Sequence, residues 1–166
     1  MFEAIRWPDD MKPSRSPIHF TNELRVAVAP ETIWALLTDP EAWPSFYPGV
    51  RHVDLLGGHT SFQLGTRFET NLAGQDVHAS IQECEPITRI AWGGGPIADK
   101  ASTAYHAWII TPVPSGTHLW TEETMQGPLW IELVKQDPAL FWRTHETLLQ
   151  DLAKVAIERE HAAERA

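Results

Sequence analysis

Residues 33–50, "IWALLTDPEAWPSFYPGV", hold two Trp, one Phe, one Tyr and three Pro in eighteen positions. Pro40, Pro44 and Pro48 rule out one continuous helix, because each removes a backbone donor and clashes with the preceding turn. No alternation of apolar and polar residues marks a strand. Just upstream, Pro30 suits the first turn of a helix and Glu31 its positive end. Ile33, Leu36 and Leu37 then form a buried stripe. "TDPEAW" restarts a helix, with Thr38 or Asp39 as cap and Thr38 with Glu41 matching a capping box. Pro44 and Pro48 stop it. The stretch therefore reads as two short helices with a kink, anchored by its aliphatic stripe. Its aromatic excess is either core filler or a closure in which Trp43, Phe46 and Tyr47 face the mouth of a cavity.

The flanking sequence says what these helices interrupt. Before them, "IHFTNELRVAV" alternates, with Ile18, Phe20, Leu24, Val26 and Val28 on one dry face. Asn22 falls on that face and needs a partner there, or water in a cavity. After them come six strand-like runs: "VRHVDLL", "TRFETNL", "QDVHASIQECE", "TRIAWGG", "TAYHAWIITP" and "THLWTEETM". Ala73-Gly74 and "VPSG" are hairpin signals, and consecutive hairpins imply an antiparallel sheet. Beyond Pro138, Phe141, His145, Leu148, Leu149, Leu152 and Ala156 share one helical face up to about residue 160. "LWIELVKQ" is an earlier helical turn. A long helix with a wide apolar stripe must lie on one face of the sheet, which makes the chain α+β. Residues 1–17, with Pro8, Pro13 and Pro17 and no period, read as an arm, and residues 18–166 as a single domain.

Composition removes several function classes. A formal charge of −9 is unsuited to neutralising phosphate, so no nucleic-acid partner is expected. No apolar run reaches the length of a membrane span, so no membrane insertion is expected either. Cys84 is the only cysteine, which leaves no internal disulfide and fits a reducing, cytoplasmic setting. The first residues carry acidic side chains and no apolar run, unlike a secretory signal. Metal ligands are not expected: the eight His are scattered, and "HETLL" at 145–149 lacks the second His of a zinc-protease motif. "GGGP" at 93–96 is not a phosphate loop, and no cofactor is indicated. A monomer or homodimer is expected.

Taken in order, "IWALLTDPEAWPSFYPGV", "GTRFET", "IQECEPITRIAWGGG", "HAWIITPVPSGTHLWTEETMQGPL" and "HETLLQDLAKVAIE" resemble the START-related helix-grip superfamily, also called SRPBCC or birch-pollen-allergen-like. The resemblance spans residues 18–160, and the branch it resembles is that of polyketide cyclase/dehydrase and lipid-transport proteins. It implies a curved seven-stranded antiparallel sheet wrapped on a long C-terminal helix, with two short helices between strands 1 and 2. It also implies a deep cavity between sheet and helix; it does not by itself imply a reaction.

Strand parity nominates what faces that cavity. Ala104, His106, Trp108 and Ile110 share a face, and the two large apolar residues mark it as the dry one. On "THLWTEETM", Leu119, Thr121, Glu123 and Met125 share a face that points inward if Leu119 and Met125 decide it. His145 sits on the buried stripe between Phe141 and Leu149. Glu123, His106 and His145 are thus candidate acid–base groups, because burial and pairing tune pKa values. The plainer alternatives are hydrogen bonds to neighbours, and pairing of Glu123 with Arg67 or Arg89. Trp43, Phe46, Tyr47, Phe68, Trp92, Trp108 and Phe141 are candidate ligand-lining aromatics. Three functions follow: binding of a small hydrophobic, aromatic, polyketide-like or lipid molecule; a cyclase or dehydratase-type enzyme; and a protein-partner module of Hsp90-activator type. A binder should show a cavity without paired titrating groups, an enzyme two polar groups within hydrogen-bond reach inside it, and a partner module a solid core with an exposed apolar patch.

Overall fold

The computed structural model describes residues 5–165. Strand β1 (Ile18–Val26) leads into α1 (Pro30–Thr38); β2 (Val53–Leu55), β3 (Arg67–Leu72), β4 (Gln75–Glu85), β5 (Arg89–Pro96), β6 (Thr103–Val113) and β7 (Gly116–Gln126) follow. Two helices close the chain, α2 (Pro128–Gln136) and α3 (Leu140–Glu164). The seven strands form one antiparallel sheet in the order β1-β7-β6-β5-β4-β3-β2. The long helix and α1 cover its inner face. This is the expected helix-grip arrangement, with strands, hairpins and helices in the expected order.

Between α1 and β2 the second short helix is a single 3-10 turn, Trp43–Ser45. Thr38 donates its hydroxyl back to the Trp34 carbonyl instead of forming the expected capping box, and Asp39 accepts from the Glu41 N–H. With Pro at positions 40 and 44, too few donors remain for a longer helix. The Ala73-Gly74 turn has positive φ at both residues, 49° and 75°, as a two-residue hairpin with primed geometry requires.

The inner core takes Ile33, Leu36 and Leu37 from α1, Leu148, Leu149 and Leu152 from α3, and Phe68, Ile81, Ile90, Trp108 and Leu119 from the sheet. Asn22 finds its partners on α3: its Nδ2 donates to Glu146 Oε1 at 2.6 Å and to the Trp142 carbonyl at 3.3 Å. That bond pins the first strand to the last helix.

The outer face is not bare. Ile5, Trp7 and Met11 pack on Ala91, Tyr105 and Ala107, and Thr124 donates to the Met11 carbonyl. A β-bulge between Ile81 and Glu83 shifts the register of β4. Without it Glu83 would share the inward parity of Val77, Ala79 and Ile81. With it, Glu83 reaches the outer face, where Arg89 NH1 lies 3.0 Å away and Tyr105 donates its hydroxyl at 2.8 Å. The Arg6 backbone N–H adds a third donor at 3.1 Å, so the segment around residues 5–11 seals a buried ion pair. Arg89 therefore serves the outer face and is not the partner of Glu123.

Candidate functional site

Under the first turns of α3 lies a cavity of about 70 Å³. A water needs roughly 10–15 Å³ on this scale, so the space suits several waters or one small ring system. Apolar walls come from Val77 and Ala79 of β4, Trp92 of β5, Met125 of β7, Trp130 of α2 and Phe141 of α3. Gly94 keeps the β4–β5 wall thin: a Cβ there would lie 2.1 Å from the His78 carbonyl oxygen, so no other residue fits.

One end of the cavity is polar. Register sets His106 directly across from Glu123 on neighbouring strands, both pointing inward. From above, α3 brings His145 down, with its Nε2 3.1 Å from Glu123 Oε2. Its ring lies 4.5 Å from that of His106 at an interplanar angle of 21°. Tyr47, from the loop after the 3-10 turn, places its hydroxyl 3.2 Å from His106 Nδ1. On the far side, Thr121 Oγ1 lies 2.6 Å from His106 Nε2 and donates to the Ala107 carbonyl at 3.2 Å. Burial, reinforced by the neighbouring imidazole of His145, holds the His106 pKa well below the ordinary histidine value. Burial, with the charge of Glu123 beside it, holds the Tyr47 phenol well above its ordinary value. Both groups are thus neutral near pH 7.

The donor atoms of His106, Glu123 and His145 all lie within 4.8 Å of one another, a spacing from which a divalent cation could be gathered. A metal sits near the plane of each imidazole it takes, however, and two stacked rings share no such point. One ring would have to turn, and His106 is held at both nitrogens. As built, the cluster suits proton exchange better than coordination.

The structure thus brings Glu123, His106 and His145 together, and sets Tyr47, Trp92 and Phe141 on the cavity lining. It corrects four other expectations. Trp43, Phe46, Phe68 and Trp108 lie in the inner core and do not line the cavity. Trp43 donates its indole N–H to the Leu37 carbonyl and packs against Phe62, Phe68 and Trp92, because that strand-facing hollow buries its whole ring. The aromatic closure reduces to Tyr47, with Pro48 beside it. Sequence reasoning passed over Trp130 and Thr121 as site residues. The parity of β7 put Thr121 on the face of Glu123, but only its hydrogen bonds reveal its part.

The chain belongs to the polyketide cyclase / dehydrase and lipid transport family, whose model matches residues 17–156. An uncharacterized protein of Mycobacterium tuberculosis is 27% identical over 117 residues, covering 68% of this chain and 70% of that one. Among solved structures, a hypothetical protein from Helicobacter pylori superposes with a TM-score of 0.85 at 24% identity, over 94% of this chain and 98% of that one. The di-domain ARO/CYC StfQ from the steffimycin biosynthetic pathway gives 0.68 at 17% identity, over 86% of this chain and 52% of that one. Ara h 8.0201 gives 0.63 at 13% identity, over 85% and 98%. Identities this low speak for a shared fold. Among the described residues no helix is long and apolar enough to cross a membrane.

Proposed function

We propose that the protein binds a small, mostly apolar molecule under α3 and moves a proton on it, with Glu123 as the base. The observation that carries this reading is the Glu123–His145 contact of 3.1 Å inside an apolar cavity. A carboxylate there costs desolvation energy that a pure binding pocket has no need to spend. Two titrating groups within hydrogen-bond reach are also what separates a reactive site from a passive one. The chemistry that fits is removal of an acidic hydrogen, as in enolisation, cyclisation or dehydration. The proton would pass from the ligand to Glu123, with His145 beside the carboxylate to steady its charge. The activities in the family's name, cyclase and dehydrase, are of this type. The partner-module alternative is less well supported. Among the described residues the exposed large apolar ones are Leu64, Ile97, Trp142 and Ile157, drawn from two loops and from α3 positions four turns apart.

Native mass spectrometry of the purified protein tests the binding half. A co-purified apolar molecule is expected, and the same molecule should raise the melting temperature. No ligand, together with no thermal shift across aromatic and lipid panels, would sink the binding reading. For the chemical half, Glu123→Gln should retain the thermal shift and lose about 10²-fold or more in turnover. Unchanged turnover would remove Glu123 from the mechanism.

A further inference from the structure

The hydrogens of the polar cluster can be counted one by one. Thr121 has one hydroxyl hydrogen, and we infer that it goes to the Ala107 carbonyl, 3.2 Å away, which can only accept. Thr121 Oγ1 therefore accepts from His106 Nε2, 2.6 Å away, so the proton of the neutral His106 ring is on Nε2. His106 Nδ1 is then an acceptor, and it takes the Tyr47 hydroxyl hydrogen at 3.2 Å. The reverse arrangement would have Nδ1–H donate to Tyr47 and leave the Tyr47 hydrogen without an acceptor within hydrogen-bond reach among the described residues. With every hydrogen of Tyr47, His106 and Thr121 committed, what this chain of groups leaves for the cavity is a lone pair on the Tyr47 oxygen. Glu123 adds a carboxylate, also an acceptor; His145 turns its Nε2 to that carboxylate and keeps Nδ1 unpartnered. The polar end thus offers acceptors, and a buried acceptor left unpaired costs free energy.

Resting on the reading that the cavity binds a small apolar molecule, we propose that it selects ring-sized molecules that donate a hydrogen bond over isosteres that only accept one. The preference is set by Thr121, a positioning residue that does not line the cavity and acts by fixing which nitrogen of His106 carries the proton. The ligand class is therefore an apolar ring bearing an O–H or ring N–H: a phenol, an enol or an indole-like heterocycle. The indole N–H of Trp130, buried on the lining without an acceptor, would in turn suit a hydroxyl, whose oxygen also accepts.

Indole and benzofuran test this, being nearly the same shape with N–H replaced by O. Benzofuran is the more apolar, so burial alone would favour it. By calorimetry on the full chain, indole is expected to bind about tenfold tighter, the cost of leaving the buried Tyr47 acceptor unpaired. Thr121→Val, close to isosteric, should bring the ratio down to about threefold or less, and Thr121→Ser should restore it. In the wild-type protein, nitrogen-15 correlation spectra should show His106 protonated at Nε2, a readout that survives if the valine variant does not fold. A smaller wild-type ratio, or His106 protonated at Nδ1, would overturn the proposal and leave the binding reading standing. Failure of both probes, and of phenol, to bind at millimolar concentration would overturn the binding reading and this proposal with it.

Discussion

Adjacent residues of β6 enter two different buried polar clusters. Tyr105 points outward to Glu83 and Arg89; His106 points inward to Tyr47, Thr121 and the Glu123–His145 pair. On the outer face one carboxylate is fully supplied with donors. The Glu83 carboxylate receives Arg89, Tyr105 and the Arg6 N–H, and the segment around Arg6, Trp7 and Met11 covers them. On the inner face Glu123 has one close partner, and a cavity stands where further ones would be. Burial and charge are similar in the two places; completeness differs. A carboxylate surrounded by donors holds strands together, and one short of donors beside empty space can receive a molecule.

That contrast can be broken most forcefully at Glu83. Glu83→Ala removes the carboxylate 3.0 Å from the Arg89 guanidinium, 2% exposed, and keeps the longer Glu85 contact of 3.6 Å. A loss of about 3–5 kcal/mol in urea unfolding is expected. A loss below 1 kcal/mol would mean that the outer cluster is no more structural than the inner one.

Alkaline titration compares the faces directly, because the chain has two tyrosines and each cluster holds one. Burial raises both phenol pKa values, with a further push from Glu123 at Tyr47 and from the hydrogen bond to Glu83 at Tyr105. A folded-state pKa above the unfolded one gives stability that is complete below about pH 10 and is lost as pH rises beyond it. The slope is about 1.4 kcal/mol per pH unit for each group. Tyrosinate absorbance should therefore appear together with unfolding, and Tyr47→Phe and Tyr105→Phe should each halve its amplitude. Absorbance rising in the folded protein would show that one of the faces is open to water.

A smaller effect separates them in acid. The lowered His106 pKa means that the unfolded chain takes up the proton first. Its contribution is complete above about pH 6.5 and falls below it by up to about 1.4 kcal/mol per pH unit, until the folded ring is protonated too. Denaturation curves of wild type and His106→Gln at pH 7.5 and pH 5 should differ in slope by up to that amount. Parallel curves would place the imidazole in water. The smallest effect is expected at Glu123. Glu123→Gln should change stability by less than about 1 kcal/mol, because losing one close contact is offset by relief of a desolvated charge. A loss as large as that of Glu83→Ala would reclassify the inner pair as structural.

Much of this was legible before any coordinates. Period-two alternation assigned the strands, and the i, i+3, i+4 stripe from Phe141 to Ala156 assigned the long helix, because both patterns are local consequences of backbone geometry. Parity alone sent His106 and His145 inward, and the Leu119–Met125 pair decided the face of Glu123. Trp43 and Phe46 were misjudged as cavity-facing for a definite reason. In a proline-broken segment no period relates one side chain to the next, and the direction of each ring depends on the hollow that meets it. The bulge in β4 was equally hidden. One shifted hydrogen-bond register reverses which face Glu83 occupies, and nothing in "SIQECE" announces it.

The sequence by itself determined the order of elements, the two faces of each strand and the presence of ionisable groups on the inner one. These depend on residues a few positions apart, whose relation the backbone dictates. Only the tertiary structure decided which carboxylate is well supplied with donors, which groups meet the two nitrogens of His106, and that Tyr47 alone of the three gate aromatics reaches the cavity. Those outcomes depend on atoms brought together from residues 47, 106, 121, 123 and 145, and a hydrogen bond is counted only when both of its ends are in place.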